Sequence, residues 1–143
     1  MSRDAGAVSG IWSAVLAGLL VFLGVVAFWP TPVDQPLQGV LAEFLRLVHA
    51  HGVPAWIDYR FVEAAANVAL FVPFGFTAAL AFPGKRWWQI AGLGLLTSGF
   101  MELGQLLFLH SRFPSALDLA ANTSGCLAGC VLAAVFTRLR HAS

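Results

Sequence analysis

Charge is scarce in this chain. Only 10% of its 143 residues are Asp, Glu, Lys or Arg, while 59% are hydrophobic and the mean hydropathy is +0.79. A soluble domain of this size needs a larger polar surface, so the composition points to an integral membrane protein. The net charge is only +1, and no basic arm or aromatic RNA motif is present, which excludes strong steering toward nucleic acid. Cysteine is limited to Cys126 and Cys130. Four apart in one helix, they share a face, make a poor metal site without further ligands and cannot readily bridge each other. They read as small packing residues beside Gly125 and Gly129. Internal repeats and low-complexity tracts are absent, so residues 1–143 read as one membrane domain. No motif calls for a cofactor or a metal.

What is abundant is long apolar sequence. A helix needs about 20 apolar residues to cross the hydrocarbon layer. Four stretches qualify, at about residues 11–29, 61–82, 87–109 and 117–136. Arg3 precedes the first, as in a signal peptide. That stretch is longer than an ordinary signal core, and no small-x-small cleavage site precedes Pro30, so an uncleaved first helix is expected. Arg3, Lys85, Arg86, Arg138 and Arg140 fall on one side of the resulting topology, against Arg46, Arg60 and Arg112 on the other. The positive-inside rule then places both termini in the cytoplasm. Pro83-Gly84-Lys85-Arg86 reads as a tight inner turn. Trp87 and Trp88 suit the inner interface, and Trp29 and Trp56 the outer one. Between the first two spans, Pro30, Pro32 and Pro36 keep the chain extended. Val40, Leu41, Phe44, Leu45 and Val48 then recur at helical spacing, with Glu43, Arg46 and His49 opposite. The expected fold class is therefore all-α: an integral membrane bundle of four transmembrane helices with a short amphipathic interfacial helix between helices 1 and 2. His49 and His51 form a weak metal pair that interfacial polarity explains better.

Ionisable groups in hydrocarbon are rare without partners or a task. In this topology Glu63 and Asn67 begin the second span, Glu102 and Gln105 end the third, His110 and Arg112 follow, and Asp118 and Asn122 begin the fourth. Glu102 and Gln105 are i,i+3, and Asp118 and Asn122 are i,i+4, so each pair shares a helix face. Three helices bring polar groups to one level, which predicts a single pocket opening on the extracytoplasmic side above a dry inner half. Pro73, inside the second span, removes one backbone hydrogen bond there. Gly125-x-x-x-Gly129 permits a close helix approach.

These residues resemble the pattern of the VanZ-like family, named for a teicoplanin-resistance protein. Asn67 stands before Phe71-Val72-Pro73-Phe74-Gly75. Glu102-Leu103-Gly104-Gln105, Arg112 and Asp118-Leu119-Ala120-Ala121-Asn122-Thr123-Ser124-Gly125 follow in order. The likeness covers about the C-terminal two thirds. Many relatives carry a further acidic residue before the Asp, where this chain has Ser115, Ala116 and Leu117; a mechanism needing a carboxylate pair in that loop is in doubt here. The resemblance implies a small polytopic envelope protein of a bacterial inner membrane, linked at one member to antibiotic resistance.

In the functional reading, Glu102 and Asp118 serve as acid and base, and Arg112 holds a phosphate with its planar fork. Gln105, Asn122, Asn67 and His110 bind or orient the ligand, a membrane lipid or lipid-linked glycan. The alternative is a non-catalytic scaffold, or a subunit of a membrane protein partner, whose polar cluster only holds the helices together. No Ser or Cys nucleophile lies at a convincing spacing from a base. A transporter would want polarity through both halves of the bilayer, and Thr77, Thr97 and Ser98 are nearly all the inner half offers.

Overall fold

The computed structural model describes residues 2–29, 38–109 and 115–142. Among them the chain forms five helices and no strand: α1 Ser2–Ala27, α2 Gln38–Ala50, α3 Tyr59–Ala81, α4 Trp87–Phe108 and α5 Ala116–Ala142. Four segments are long and apolar enough to cross a bilayer, Val8–Ala27, Tyr59–Ala81, Trp87–Phe108 and Ala116–Arg140, so the chain is a multi-pass membrane protein. The helices outrun the apolar stretches at both ends of the sequence. α1 begins nine residues before the stretch at 11, and α5 passes Phe136 to include Arg138 and Arg140. A helix outside hydrocarbon needs no apolar face to continue, and neither segment contains a proline.

Local chemistry sets several ends. Asp58 caps α3 by accepting a 3.0 Å hydrogen bond from the Phe61 N–H. At α4, the Arg86 N–H donates to Gln89 Oε1 at 2.9 Å. After α2, Gly52 adopts φ +94°, a left-handed conformation suited to glycine, and the Gly52 and Val53 N–H groups return to the His49 and Val48 carbonyls. His49 Nε2 donates to the Ile57 carbonyl at 3.1 Å, tying α2 to the loop before α3. Among the described helices α2 touches only α3, and Val40, Phe44 and Leu47 stay exposed, as an interfacial helix requires. Inside α3, the Thr77 hydroxyl donates to the Pro73 carbonyl at 2.7 Å, one turn after the proline.

The helices alternate in direction, and the largest interface joins α3 to α5, which run parallel. Glycine makes this contact possible. A Cβ added at Gly75 would lie 2.7 Å from Cys126 Cα, and one at Gly129 would lie 2.9 Å from the Gly75 carbonyl carbon. These are backbone atoms that cannot rotate aside, so only bare backbone fits at this spacing. Phe71, Phe74, Ala78, Cys126 and Cys130 form the core between the two helices, with Ile90 from α4 and Leu16 and Leu23 from α1. Cys126 is fully buried, and its thiol reaches the Ile90 carbonyl at 3.4 Å. Both cysteines are free thiols that pack, as their place beside Gly125 and Gly129 implies.

Candidate functional site

The polar residues of α3, α4 and α5 meet at the end of the bundle where α4 finishes and α5 starts. Ser115 precedes the first turn of α5, and its hydroxyl accepts from the Asp118 N–H at 3.4 Å. This is the N-cap position, which favours Ser because its oxygen satisfies a helix N–H that has no partner within the helix. The Ser115 N–H itself is met by Glu102 Oε2 of α4 at 2.9 Å. In an ordinary capping box that bond comes from the acidic residue three positions into the same helix. Here the neighbouring helix supplies it, and Asp118, at that third position, turns to α3 instead, accepting from Asn67 Nδ2 at 2.9 Å. Two carboxylates thus stand at the positive end of the α5 dipole, where negative charge is favoured.

One turn deeper, Asn122 Nδ2 donates to Ser98 Oγ at 2.8 Å. Ser98 is one turn from Glu102, and Asn122 one turn from Asp118, so the α4–α5 contact carries two polar rungs. Ser98 lies ~15 Å along α4 from its end. Glu102, Asn122 and Ser98 are all buried. Asn122 Oδ1 has no hydrogen-bond partner among the described residues. Exchanging the amide oxygen and nitrogen would let the Ser98 hydroxyl donate, but would leave the nitrogen bare, so one polar atom is unmatched either way. A buried orphan of this kind costs about 1–3 kcal/mol.

Gln105 does not join this group. Its Nε2 donates to the Ala27 carbonyl at 2.9 Å and so satisfies an orphan acceptor in the last turn of α1. The Glu-x-x-Gln pair therefore serves two helix ends, the start of α5 and the finish of α1. The expected grouping of Glu102, Asp118 and Asn67 is present, and Asn122 adjoins it at the lower rung. Glu63 is exposed on α3. His110 and Arg112 lie outside the described residues. Ser115 and Ser98 are participants that the sequence reading left out of the site. The first carried a signal, Ser-x-x-Asp before an apolar run. The second stands four residues before Glu102, which puts both on one face.

Beside the cluster runs an apolar groove of about 830 Å³ between α1 and α4, lined by Leu20, Gly24, Phe28, Leu96, Met101 and Leu119 among others. Phe28 sits against Gly104, where an added Cβ would come within 2.5 Å of its ring. Among the described residues no set of three His, Cys, Asp or Glu converges.

A family model described as VanZ/LLP1 matches residues 11–137. The chain belongs to the VanZ/LLP1 family. The matched range holds every polar residue of the cluster and four of the five helices in full or nearly so. No curated protein and no solved structure matches the chain significantly. Within this VanZ/LLP1 chain, the Glu-x-x-Gln and Asp-x-x-x-Asn segments supply four side chains that hydrogen-bond beyond their own helices.

Proposed function

We propose that this VanZ/LLP1 protein is an envelope protein that engages a membrane lipid or lipid-linked glycan at the Glu102–Asp118 end of the bundle. The observation that carries the reading is the unmatched amide atom of Asn122, buried one turn below the two carboxylates. A site that leaves a buried polar atom unpaired suits a ligand or water that completes it. The groove beside the cluster suits an acyl or polyprenyl chain, and Arg112 suits its phosphate. In the catalytic form of the reading, Glu102 or Asp118 moves a proton; in the binding form neither does. Lys85, Arg86, Arg138 and Arg140 stand at the opposite end, which favours a cytoplasmic location for both termini and an extracytoplasmic one for the cluster. At that surface the protein would meet the lipid-linked intermediates that glycopeptides also target, hence an influence on glycopeptide susceptibility.

The test is thermal unfolding of the detergent-solubilised chain with a polyprenyl phosphate, a polyprenyl-diphosphate-linked sugar and phosphatidylglycerol. A rise in melting temperature with one of them, lost in Arg112→Gln and Asn122→Leu, supports the reading; no rise with any of the three sinks it.

A second reading is favoured by the bonds from the Ser115 N–H to Glu102 and from Gln105 to the Ala27 carbonyl, which satisfy helix ends without any ligand. On that reading the cluster is a scaffold, and its variants change the melting temperature but no binding.

A further inference from the structure

The groove between α1 and α4 has one polar feature in its apolar wall. Thr97 stands midway along α4 and lines the groove with Leu96, Phe100 and Met101. Serine and threonine inside membrane helices ordinarily spend the hydroxyl proton on a carbonyl of their own helix, because hydrocarbon offers no acceptor. Thr77, Thr123, Ser124 and Thr137 do so, each reaching the carbonyl four residues back at 2.7 to 3.0 Å. Thr97 does not; its hydroxyl has no hydrogen-bond partner among the described residues. Two glycines widen the same groove. Gly24 of α1 and Gly99 of α4 both line it, and a Cβ added at either would meet nothing within 4 Å.

An occupant that completes these walls brings an acceptor to the middle of α4 and bulk to the space beside the glycines. A saturated acyl chain offers no acceptor. The phosphate and ester oxygens of a phospholipid stay at the bilayer surface, about 15 Å from the middle of the hydrocarbon layer. A polyprenyl chain carries an alkene and a methyl branch in every isoprene unit, so an alkene comes near Thr97 in whatever register the chain lies. The π-cloud of an alkene accepts a weak hydrogen bond. Methyl branches suit the space left by Gly24 and Gly99. We infer that the lipid engaged at the Glu102–Asp118 end is polyprenyl rather than acyl, with its chain between α1 and α4 and an alkene against Thr97. This chain class rests on the lipid reading above and narrows it. Phe28 and Leu119, the latter next to Asp118 in sequence, line the groove where the chain would leave the polar cluster.

Native mass spectrometry of the full chain in detergent compares three probes: a polyprenyl phosphate, the same compound after complete hydrogenation, and a straight-chain alkyl phosphate. The polyprenyl phosphate is expected to bind about 2- to 5-fold tighter than its hydrogenated form, the worth of one weak hydrogen bond. Thr97→Val keeps the side-chain shape without the hydroxyl and should bind the two forms alike. Gly24→Leu and Gly99→Leu fill the groove. With no neighbour near the added Cβ, both should fold as the parent does and lose the polyprenyl phosphate. Should leucine unfold the chain, alanine at the same positions is the milder filling and should weaken binding. Equal binding of the three probes, undiminished binding by the filled variants, or a preference that survives Thr97→Val would overturn the chain class and leave the lipid reading standing. A parent that binds none of the probes overturns both. A dimer that the filled variants lose would name a second copy as occupant and overturn the chain class too.

Discussion

A single methyl group at Gly125 should loosen the bundle and disturb the polar cluster together. A Cβ there would lie 3.0 Å from Phe71 Cβ and from the Val68 carbonyl carbon, and nearer still to the Val68 oxygen, where ordinary contact begins at 3.4 Å. The obstacle is α3 backbone, so Gly125→Ala must push α3 and α5 apart. Forced overpacking of this kind costs about 1–3 kcal/mol. For a chain of this size that corresponds to a melting temperature lower by about 3–10 °C. Asp118 is two turns away on the same face, and its 2.9 Å bond from Asn67 crosses the same interface. A separation of about 0.5 Å would bring that bond close to the limit of hydrogen-bond geometry. The controls are Gly92→Ala and Gly99→Ala, where an added Cβ meets nothing within 4 Å. Alanine favours helix over glycine, so these should melt at or above the parent temperature. Far-UV circular dichroism in one detergent at one scan rate makes the comparison. If Gly125→Ala melts with its controls, the α3–α5 contact yields easily and the steric reasoning is wrong.

Other outcomes follow from the same geometry. Asn122→Leu combined with Ser98→Ala removes the buried unmatched atom together with the hydroxyl that the amide bonds, so its melting temperature should stay level or rise; a fall of many degrees would mean that the amide is fully engaged. Glu102→Gln retains an oxygen for the Ser115 N–H, whereas Glu102→Leu strands that donor at about 1–3 kcal/mol, so the leucine variant should melt well below the glutamine one. Equal melting of the two would dismiss the cap from α4. Gly104→Ala meets only the ring of Phe28, a side chain that can swing, and should therefore cost less than Gly125→Ala; the same melts rank the two.

The spans were legible because hydropathy needs no tertiary information: a run such as 87–109 is too apolar to be anything but buried or membrane-spanning. The ends were less so, since the helix starting at Ser2 and the tail carrying Arg138 and Arg140 have no apolar signature. The level of Asn67, Glu102 and Asp118 was legible as well, because alternating helices of fixed rise fix the depth of each residue. Partner choice was not. The short Pro83-to-Arg86 turn advertises α3 against α4, yet α3 packs mainly on α5. Gly125-x-x-x-Gly129 announced a close approach without naming the helix approached. Gln105 sat three residues from Glu102 and looked like its companion, but a glutamine side chain is long enough to reach a different helix end. His110 and Arg112 fall outside the described residues, so their expected roles stand as part of the proposed function.

The pairing of α3 with α5 also has a consequence for how the protein is made. Chains emerge from the ribosome N-terminus first, at about 5–20 residues per second. Everything between Ala81 and Ala116 must be synthesised before α5 exists, so the glycine-bearing face of α3 spends some seconds in the bilayer without its mate. During that interval α1 and then α4 are the helices at hand, and the Ser9 hydroxyl on the Ala81 carbonyl and Trp12 on Phe76 are contacts that can form before α5 arrives. The order of synthesis thus lets the α1–α3 contacts form before the closest helix pair of the bundle can.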